Sequence, residues 1–187
     1  MSFTSSRRCG AALAVASWLA AAPLAAGAET FNRDVADAQI VKEVVVAAPP
    51  ADVWRAWTDP ATIATYFAPR ARVELRPGGA YELLFLLDAP LGQQGSEGCT
   101  VLAYVPERLL VFSWNAPPEF GAARGQHTWV VVELEDLPDV RTRVRLTHYG
   151  FGNGSEWDAV RAYFDRAWGR VTANLAAHFA SPRNAGG

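Results

Sequence analysis

Three histidines, at positions 127, 148 and 178, are side chains that could move a proton near neutral pH. A zinc site requires three or four ligands held close together, and these histidines form no His-x3-His or Cys-x2-Cys pattern. The sequence therefore predicts no metal site. No nucleophile elbow, phosphate-binding loop or dinucleotide fingerprint is present either, because the RPGG segment at 76–79 has the pattern of a hairpin turn. We expect no cofactor.

His148 is the strongest single candidate for chemistry. In the segment RVRLTHY it shares its parity with Val144 and Leu146, so period-two alternation places it on the apolar side of a sheet. Two interpretations are open. The imidazole is either a hydrogen-bonded core group or a polar group at a cavity wall that orients a ligand or transfers a proton. A carboxylate from Glu82 or Glu97 beside it would favour an enzyme.

The other reactive side chains are expected to be structural. His127 has the opposite strand parity and His178 lies near the end of a helical segment, so we expect both at the surface. Cys99 is expected to be a small buried hydrophobic residue. Its one possible disulfide partner, Cys9, lies in a leader that cleavage would remove.

The first 28 residues have the pattern of a secretory signal peptide. Arg7 and Arg8 precede an alanine-rich apolar run, and Ala26 and Ala28 form a small-x-small pattern that predicts cleavage before Glu29. We expect a periplasmic or secreted protein with no membrane span after cleavage. The alternatives are an uncleaved anchor in place of the signal, and twin-arginine in place of general secretory export.

Length and composition are typical of one globular domain. The chain has 187 residues, of which 50% are hydrophobic, and its formal net charge is -2. Without a dense Lys/Arg run, it has no electrostatic footprint for nucleic acid or for an anionic membrane surface. The oligomeric state is left open. The expected organisation is a signal peptide at 1–28, a lead-in segment at 29–39, one domain at 40–180 and a tail at 181–187.

The apolar periodicity predicts a strand, two short helices, six strands and a long C-terminal helix. These segments are 38–48, 50–58, 60–67, 70–88 (a hairpin), 97–105, 108–114, 127–137, 142–150 and 153–179. The helix carries an apolar stripe at steps of three and four, which must face a sheet. The stripe consists of Trp157, Val160, Phe164, Trp168, Val171, Leu175 and Phe179.

The alternation also predicts the register of the last hairpin. If the apolar residues of both strands share the inner face, they must pair directly across the strands. The pairs are Leu134 with Val144, Val132 with Leu146, and Val130 with His148. The same register sends Glu133, Glu135, Arg143 and Arg145 to the outer face, where opposite charges can pair.

Five stretches resemble one known superfamily. They are APPADVWRAWTDP (48–60), RPGGAYEL (76–83), RLLVFSW (108–114), RLTHYGF (145–151) and AWGRVTANLAAHF (167–179). Together they are similar to the START-like or SRPBCC superfamily, and within it to the branch of activator of heat-shock-protein-90 ATPase homologues. The resemblance implies an α+β helix-grip fold, in which a curved antiparallel sheet of about seven strands wraps around the C-terminal helix and encloses a cavity. Lipid carriers, cyclases, hydrolases and chaperone cofactors all share this fold, so it does not assign a function.

Our leading hypothesis is an exported module that binds a small hydrophobic molecule between the sheet and the C-terminal helix. The alternatives are a cyclase- or hydrolase-like enzyme that uses His148, and a co-chaperone-like protein-interaction module. Trp54 and Trp57 are expected in the core beneath the short helices. The predicted ligand-binding residues are Tyr81, Phe85, Trp114, Val130, His148, Phe164 and Trp168.

Overall fold

The computed structural model describes residues 39–180. The predicted signal peptide, nearly all of the lead-in segment and the C-terminal tail lie outside the described residues. Within 39–180, no helix combines the length and the apolar character needed to cross a membrane.

The predicted order of elements is confirmed. The strands are β1 (Ile40–Val46), β2 (Arg70–Val73), β3 (Tyr81–Leu84), β4 (Val101–Val105), β5 (Leu109–Trp114), β6 (Thr128–Leu137) and β7 (Arg141–Tyr149). The helices are α1 (Pro50–Thr58), α2 (Pro60–Ile63), α3 (Gly121–Arg124) and α4 (Ser155–Ala180). The helix α3 was not predicted, because its single turn lies in a segment rich in Pro and Gly.

Proline and aspartate set the start of the short helices. Pro50 and Pro60 occupy the first helical positions, where a missing N–H costs nothing. The Asp59 carboxylate caps α2 by accepting a hydrogen bond from the Thr62 N–H at 2.9 Å. These helices bury Trp54 and Trp57, which confirms that both belong to the core.

The strands form an antiparallel helix-grip sheet, as expected, but in two parts. Five strands pair in the order β1-β7-β6-β5-β4, and β2 pairs with β3. Backbone hydrogen bonds join the two parts where the turn before β3 meets β4: Gly78 N–H to Val101 O and Val101 N–H to Gly79 O, both 2.8 Å. At Gly79 a Cβ would lie 2.2 Å from the Glu74 carbonyl oxygen, so this close turn requires glycine. The seven predicted strands therefore divide five and two.

The predicted register of the last hairpin is confirmed. Val130 pairs with His148, Val132 with Leu146 and Leu134 with Val144, and all six side chains are buried. On the outer face, Arg143 forms an ion pair with Glu135, and Arg145 lies 4.0 Å from Glu133.

The helix α4 covers the inner face of the sheet with its predicted stripe. Trp157, Val160, Phe164, Trp168 and Leu175 are buried, and Val171 and Phe179 are partly buried against the same core. The fold therefore places the middle of α4 over β7 and next to the end of β5.

Candidate functional site

A cavity of about 480 Å³ opens between one side of α4, the loop after β3 and the segment after β5. We call it the aromatic cavity. Six aromatic residues line it: Phe67, Phe85, Trp114, Tyr163, Phe164 and Trp168. The volume falls within the range of about 300 to 1,000 Å³ that is typical of small-ligand sites.

The rings form a continuous apolar wall. The ring centroids of Trp114 and Trp168 are 5.5 Å apart, and Phe67 lies 5.9 Å from both Trp168 and Phe85. Trp114 and Trp168 are buried, whereas Phe85 is 39% exposed and stands at the rim. Aromatic faces arranged in this way suit an apolar, unsaturated ligand.

A second stripe of α4 completes the wall. Tyr163, Ala167, Arg170 and Asn174 all line the cavity and follow one another at steps of four, three and four. The sequence did not identify these residues as lining a cavity. They follow helical spacing, but only Tyr163 among them is strongly hydrophobic, so they form no apolar stripe. The small side chain of Ala167 leaves room between its larger neighbours.

Two buried or half-buried amides supply polarity to the cavity. The Gln94 side-chain amide donates to the Leu87 and Ala89 carbonyl oxygens at 3.1 and 2.9 Å. The Asn115 amide donates to the Glu97 carbonyl oxygen at 3.1 Å. Both N–H bonds of the Gln94 amide and one of the two of Asn115 are thereby used, and each amide oxygen can accept a hydrogen bond from a ligand.

Arg124 of α3 fixes the loops at the cavity rim. Its guanidinium donates to the carbonyl oxygens of Gly92 at 2.6 Å and Gly95 at 3.0 Å, and lies 3.3 Å from the Glu97 carboxylate. Partial burial raises the pKa of Glu97, but hydrogen bonds from backbone N–H groups, including those of Gln94 and Gly95, and the Arg124 charge outweigh it and hold that pKa below its usual range. The rim is therefore held by a partly buried ion pair.

A directed chain of hydrogen bonds connects the two cavity tryptophans behind the wall. Trp168 Nε1 donates to His148 Nδ1 at 2.9 Å, and His148 Nε2 lies 2.7 Å from Thr128 Oγ1, which donates to the Trp114 carbonyl oxygen at 3.0 Å. An indole N–H can only donate, so Nδ1 carries no proton and the neutral imidazole bears its proton on Nε2. Each polar side-chain atom of Trp168, His148 and Thr128 therefore has a hydrogen-bond partner.

Burial makes His148 a poor acid or base near neutral pH. The side chain is fully buried, between the rings of Phe151 at 4.4 Å, Phe164 at 4.8 Å and Trp168 at 5.8 Å. Desolvation lowers the pKa of His148 to about 3. This geometry corresponds to the core interpretation, and a catalytic role for His148 stays a prediction that the geometry does not favour.

The predicted site residues fall into two groups. Phe85, Trp114, Phe164 and Trp168 line the aromatic cavity. Tyr81, Val130 and His148 are fully buried elsewhere and are not part of its wall. Whether any of the seven binds a ligand stays a prediction.

Tyr81 has a structural role in the core. Its hydroxyl donates to the Trp57 carbonyl oxygen at 2.9 Å, and its ring stacks on Phe112 with centroids 4.1 Å apart. Strand parity sends this side chain inward as expected, but the inner face is filled at this point. A hydrogen bond and a stacked ring leave no space for a ligand there.

The remaining charged candidates lie away from His148. The Glu82 carboxylate accepts a hydrogen bond from the Gly98 N–H at 2.8 Å, and Glu97 belongs to the rim. His127 is exposed, as expected, and His178 is half-buried next to Thr65. Within residues 39–180, no three His, Cys, Asp or Glu side chains are grouped closely enough to hold a metal ion.

A larger concavity of about 1,090 Å³ lies elsewhere, at the turn between β4 and β5 and the outer face of the sheet. Charged side chains dominate its lining, and several of them already pair with one another, such as Arg145 with Glu43 at 3.4 Å. Such paired surface charges do not form a recognition site by themselves. The aromatic cavity is the better candidate.

Comparisons with known proteins agree with this fold. A protein of Mesorhizobium loti superimposes with a TM-score of 0.62 at 21% identity, over 76% of this chain and 96% of its own. An Hsp90 activator from Plasmodium falciparum gives 0.60 at 17% identity, over 77% and 97%. The Aha1 dimer from Colwellia psychrerythraea, solved in solution, gives 0.58 at 16% identity, over 78% and 98%.

At these identities the solved structures show the fold alone. A search of the curated proteins gives no match. The family is shown by sequence, because a family model described as Activator of Hsp90 ATPase homolog 1-like protein matches residues 47–180. The chain belongs to the family of activator of Hsp90 ATPase homolog 1-like proteins, within the helix-grip superfamily that its motifs resemble.

Proposed function

We propose that this helix-grip module binds a small hydrophobic molecule in the aromatic cavity. The observation that carries the proposal is a cavity of about 480 Å³ with aromatic walls, beside an inner sheet face that is otherwise filled. Protein interiors are normally close-packed, and filling such a space would stabilise the fold. An open cavity with apolar walls is therefore typical of a binding site. The acceptor oxygens of Gln94 and Asn115 would orient a hydroxyl or N–H group of that molecule.

The cavity can be filled without touching its aromatic wall. Ala167 lines it, and Ala167→Phe would place a ring in the space. If this ring displaces on the order of 100 Å² of buried ligand surface, binding weakens by about 2.5 kcal/mol. Ala162→Phe is the matched control, because Ala162 is exposed on the same helix and does not line the cavity.

The test is titration with a small apolar fluorophore such as 1-aminoanthracene, followed by its emission and by quenching of the tryptophan fluorescence, to which Trp114 and Trp168 contribute. We expect binding at least about tenfold weaker in Ala167→Phe and unchanged in Ala162→Phe. Equal affinity in the two variants, both with wild-type unfolding curves, would show that the cavity is not the binding site.

We also propose that the module acts in the periplasm or outside the cell. The support is the sequence of the leader, in which a basic pair, an apolar run and an Ala-x-Ala pattern precede Glu29. Edman sequencing of the protein from its host should read from Glu29. An intact Met1 in the membrane fraction would show an uncleaved anchor instead.

A protein-interaction function is the second candidate. Val41, Val45 and Trp129 lie exposed on the outer face of the sheet, away from the aromatic cavity. Exposed apolar side chains of this kind occur at protein-binding surfaces. Loss of a captured partner on Trp129→Ser, with fluorophore binding unchanged, would support this function.

A further inference from the structure

Exposed apolar side chains cluster at the mouth of the aromatic cavity. Of the ten large hydrophobic residues that are exposed within 39–180, four belong to one short stretch. They are Phe85 (39% exposed), Leu86 (57%), Leu87 (37%) and Leu91 (89%). We call residues 85–92 the leucine loop. Phe85 and Leu86 also line the cavity, so the leucine loop and the cavity share one apolar surface.

The backbone of the leucine loop is held in place. The N–H groups of Phe85 and Leu86 both donate to the Gln94 carbonyl oxygen, at 2.8 and 2.9 Å. The Gln94 side chain donates to the Leu87 and Ala89 carbonyl oxygens, and the Arg124 guanidinium to that of Gly92. The loop backbone is thus ordered by hydrogen bonds with Gln94 and Arg124. Its leucines face solvent because nothing in the described residues covers them. Such exposure is unfavourable unless another apolar phase meets it.

We propose that the leucine loop inserts into the surface of a lipid bilayer and places the cavity mouth against the membrane. This inference rests on the proposed function. A hydrophobic ligand partitions into membranes, so a cavity mouth held against the bilayer would receive the ligand from the lipid. The exposed fractions of the four residues add up to about two fully exposed residues. The apolar area that two such residues present is far smaller than the about 800 Å² that each partner buries in a stable protein interface. It suffices for shallow insertion into the surface of a bilayer.

The charges of the loop indicate which bilayer it fits. Residues 85–95 contain one charged side chain, Asp88, and no Lys or Arg. Attachment through basic residues would require anionic lipid and would weaken with salt. Attachment through leucines occurs on neutral lipid and is nearly independent of salt.

The test is flotation with phosphatidylcholine vesicles. The protein is isolated from its host in the form in which it accumulates, so that wild type and variants carry the same N-terminus. The variant is Leu86→Ser with Leu91→Ser. The matched control is Leu102→Ser with Val105→Ser, because these side chains are also exposed, at 45% and 46%, but lie on β4.

We expect wild type to float and its partition coefficient to fall about tenfold or more in the leucine variant, while the control stays within about twofold. Raising the salt concentration about tenfold should change wild-type binding by less than about twofold. Equal flotation of wild type and the leucine variant would overturn the proposal. So would a wild-type protein that does not float, including one whose leucines instead join two copies into a dimer seen by sedimentation.

Fluorophore binding in the absence of vesicles separates this proposal from the proposed function. Wild type that binds the fluorophore but not vesicles refutes membrane docking and leaves the cavity function standing. Leucine-dependent flotation without fluorophore binding supports docking and refutes the cavity function.

Discussion

The hydrogen bond from Trp168 to His148 offers a quantitative test of the wall behind the cavity. His148→Phe removes the acceptor and leaves the Trp168 N–H without a partner in a region where both side chains are almost fully buried. Thr128 Oγ1 loses the bond from His148 Nε2 but still donates to the Trp114 carbonyl oxygen, so the Trp168 N–H is the one group left without any partner. An unsatisfied buried donor costs about 1 to 3 kcal/mol, and the larger phenyl ring adds about 1 kcal/mol or more of overpacking.

We therefore expect His148→Phe to lower the free energy of unfolding by about 2 to 4 kcal/mol. Trp168→Phe removes the donor instead and leaves His148 Nδ1 unpaired, which carries its own cost. In the double variant neither group is orphaned. Its loss should be smaller than the sum of the single losses by about 1 to 2 kcal/mol.

Urea unfolding of the four proteins, followed by far-UV circular dichroism, measures this coupling. The slope of free energy against urea should be the same in all four, because the surface exposed on unfolding changes little. Additivity of the two substitutions within about 0.3 kcal/mol would refute the reasoning, since it would mean that the bond contributes nothing.

Three further outcomes follow from the same geometry. Desolvation lowers the pKa of His148 to about 3 from an ordinary 6.5, so between these pH values the unfolded chain binds a proton that the folded one does not. This contribution to stability is complete above pH 6.5 and is lost at about 1.4 kcal/mol per pH unit as pH falls toward 3. In urea titrations at a series of pH values, the fall in stability should therefore be less steep in His148→Phe by about that amount, and equal slopes in the two proteins would contradict the buried, neutral imidazole. Arg124→Met should increase the rate of amide hydrogen exchange at Gly95 and Gln94 by more than about tenfold and leave exchange in β6 unchanged. Equal exchange rates at Gly95 and Gln94 in wild type and variant would show that the rim does not depend on the guanidinium. Cys99 should resist alkylation in the folded protein, because burial raises the pKa of its thiol to about 12, and rapid labelling would contradict its buried position.

Strand parity and helical spacing predicted most of the fold. The β6–β7 register, the inward position of His148 and the apolar stripe of α4 all follow from which residues must avoid water. The division of the strands into five and two did not follow, because the part that contains β3 meets β4 through long-range backbone hydrogen bonds of Gly78 and Gly79 with Val101 and not through a continuous strand ladder. Sequence periodicity carries no information on such long-range backbone contacts.

The cavity was predictable in part. Parity identified inward side chains such as Tyr81 and Phe85, but it does not say whether the space in front of them is filled. The ring of Tyr81 stacks on Phe112 and its hydroxyl donates to the Trp57 carbonyl oxygen, so the space in front of it is filled. Phe85 lies beyond Leu84, the last residue of β3, at the rim of the cavity. The rim made by Arg124 and its carbonyl partners could not be predicted, since it is built from loops that only tertiary structure brings together.

Native mass spectrometry of the protein purified from its own host shows directly whether the aromatic cavity holds a ligand. We expect wild type to carry a co-purifying small apolar molecule and the same molecule to remain on Ala162→Phe. It should be absent from Ala167→Phe, in which the added ring fills the aromatic cavity. The same bound mass on Ala167→Phe, or no bound molecule on any of the three proteins, would contradict the claim that this cavity holds a hydrophobic ligand.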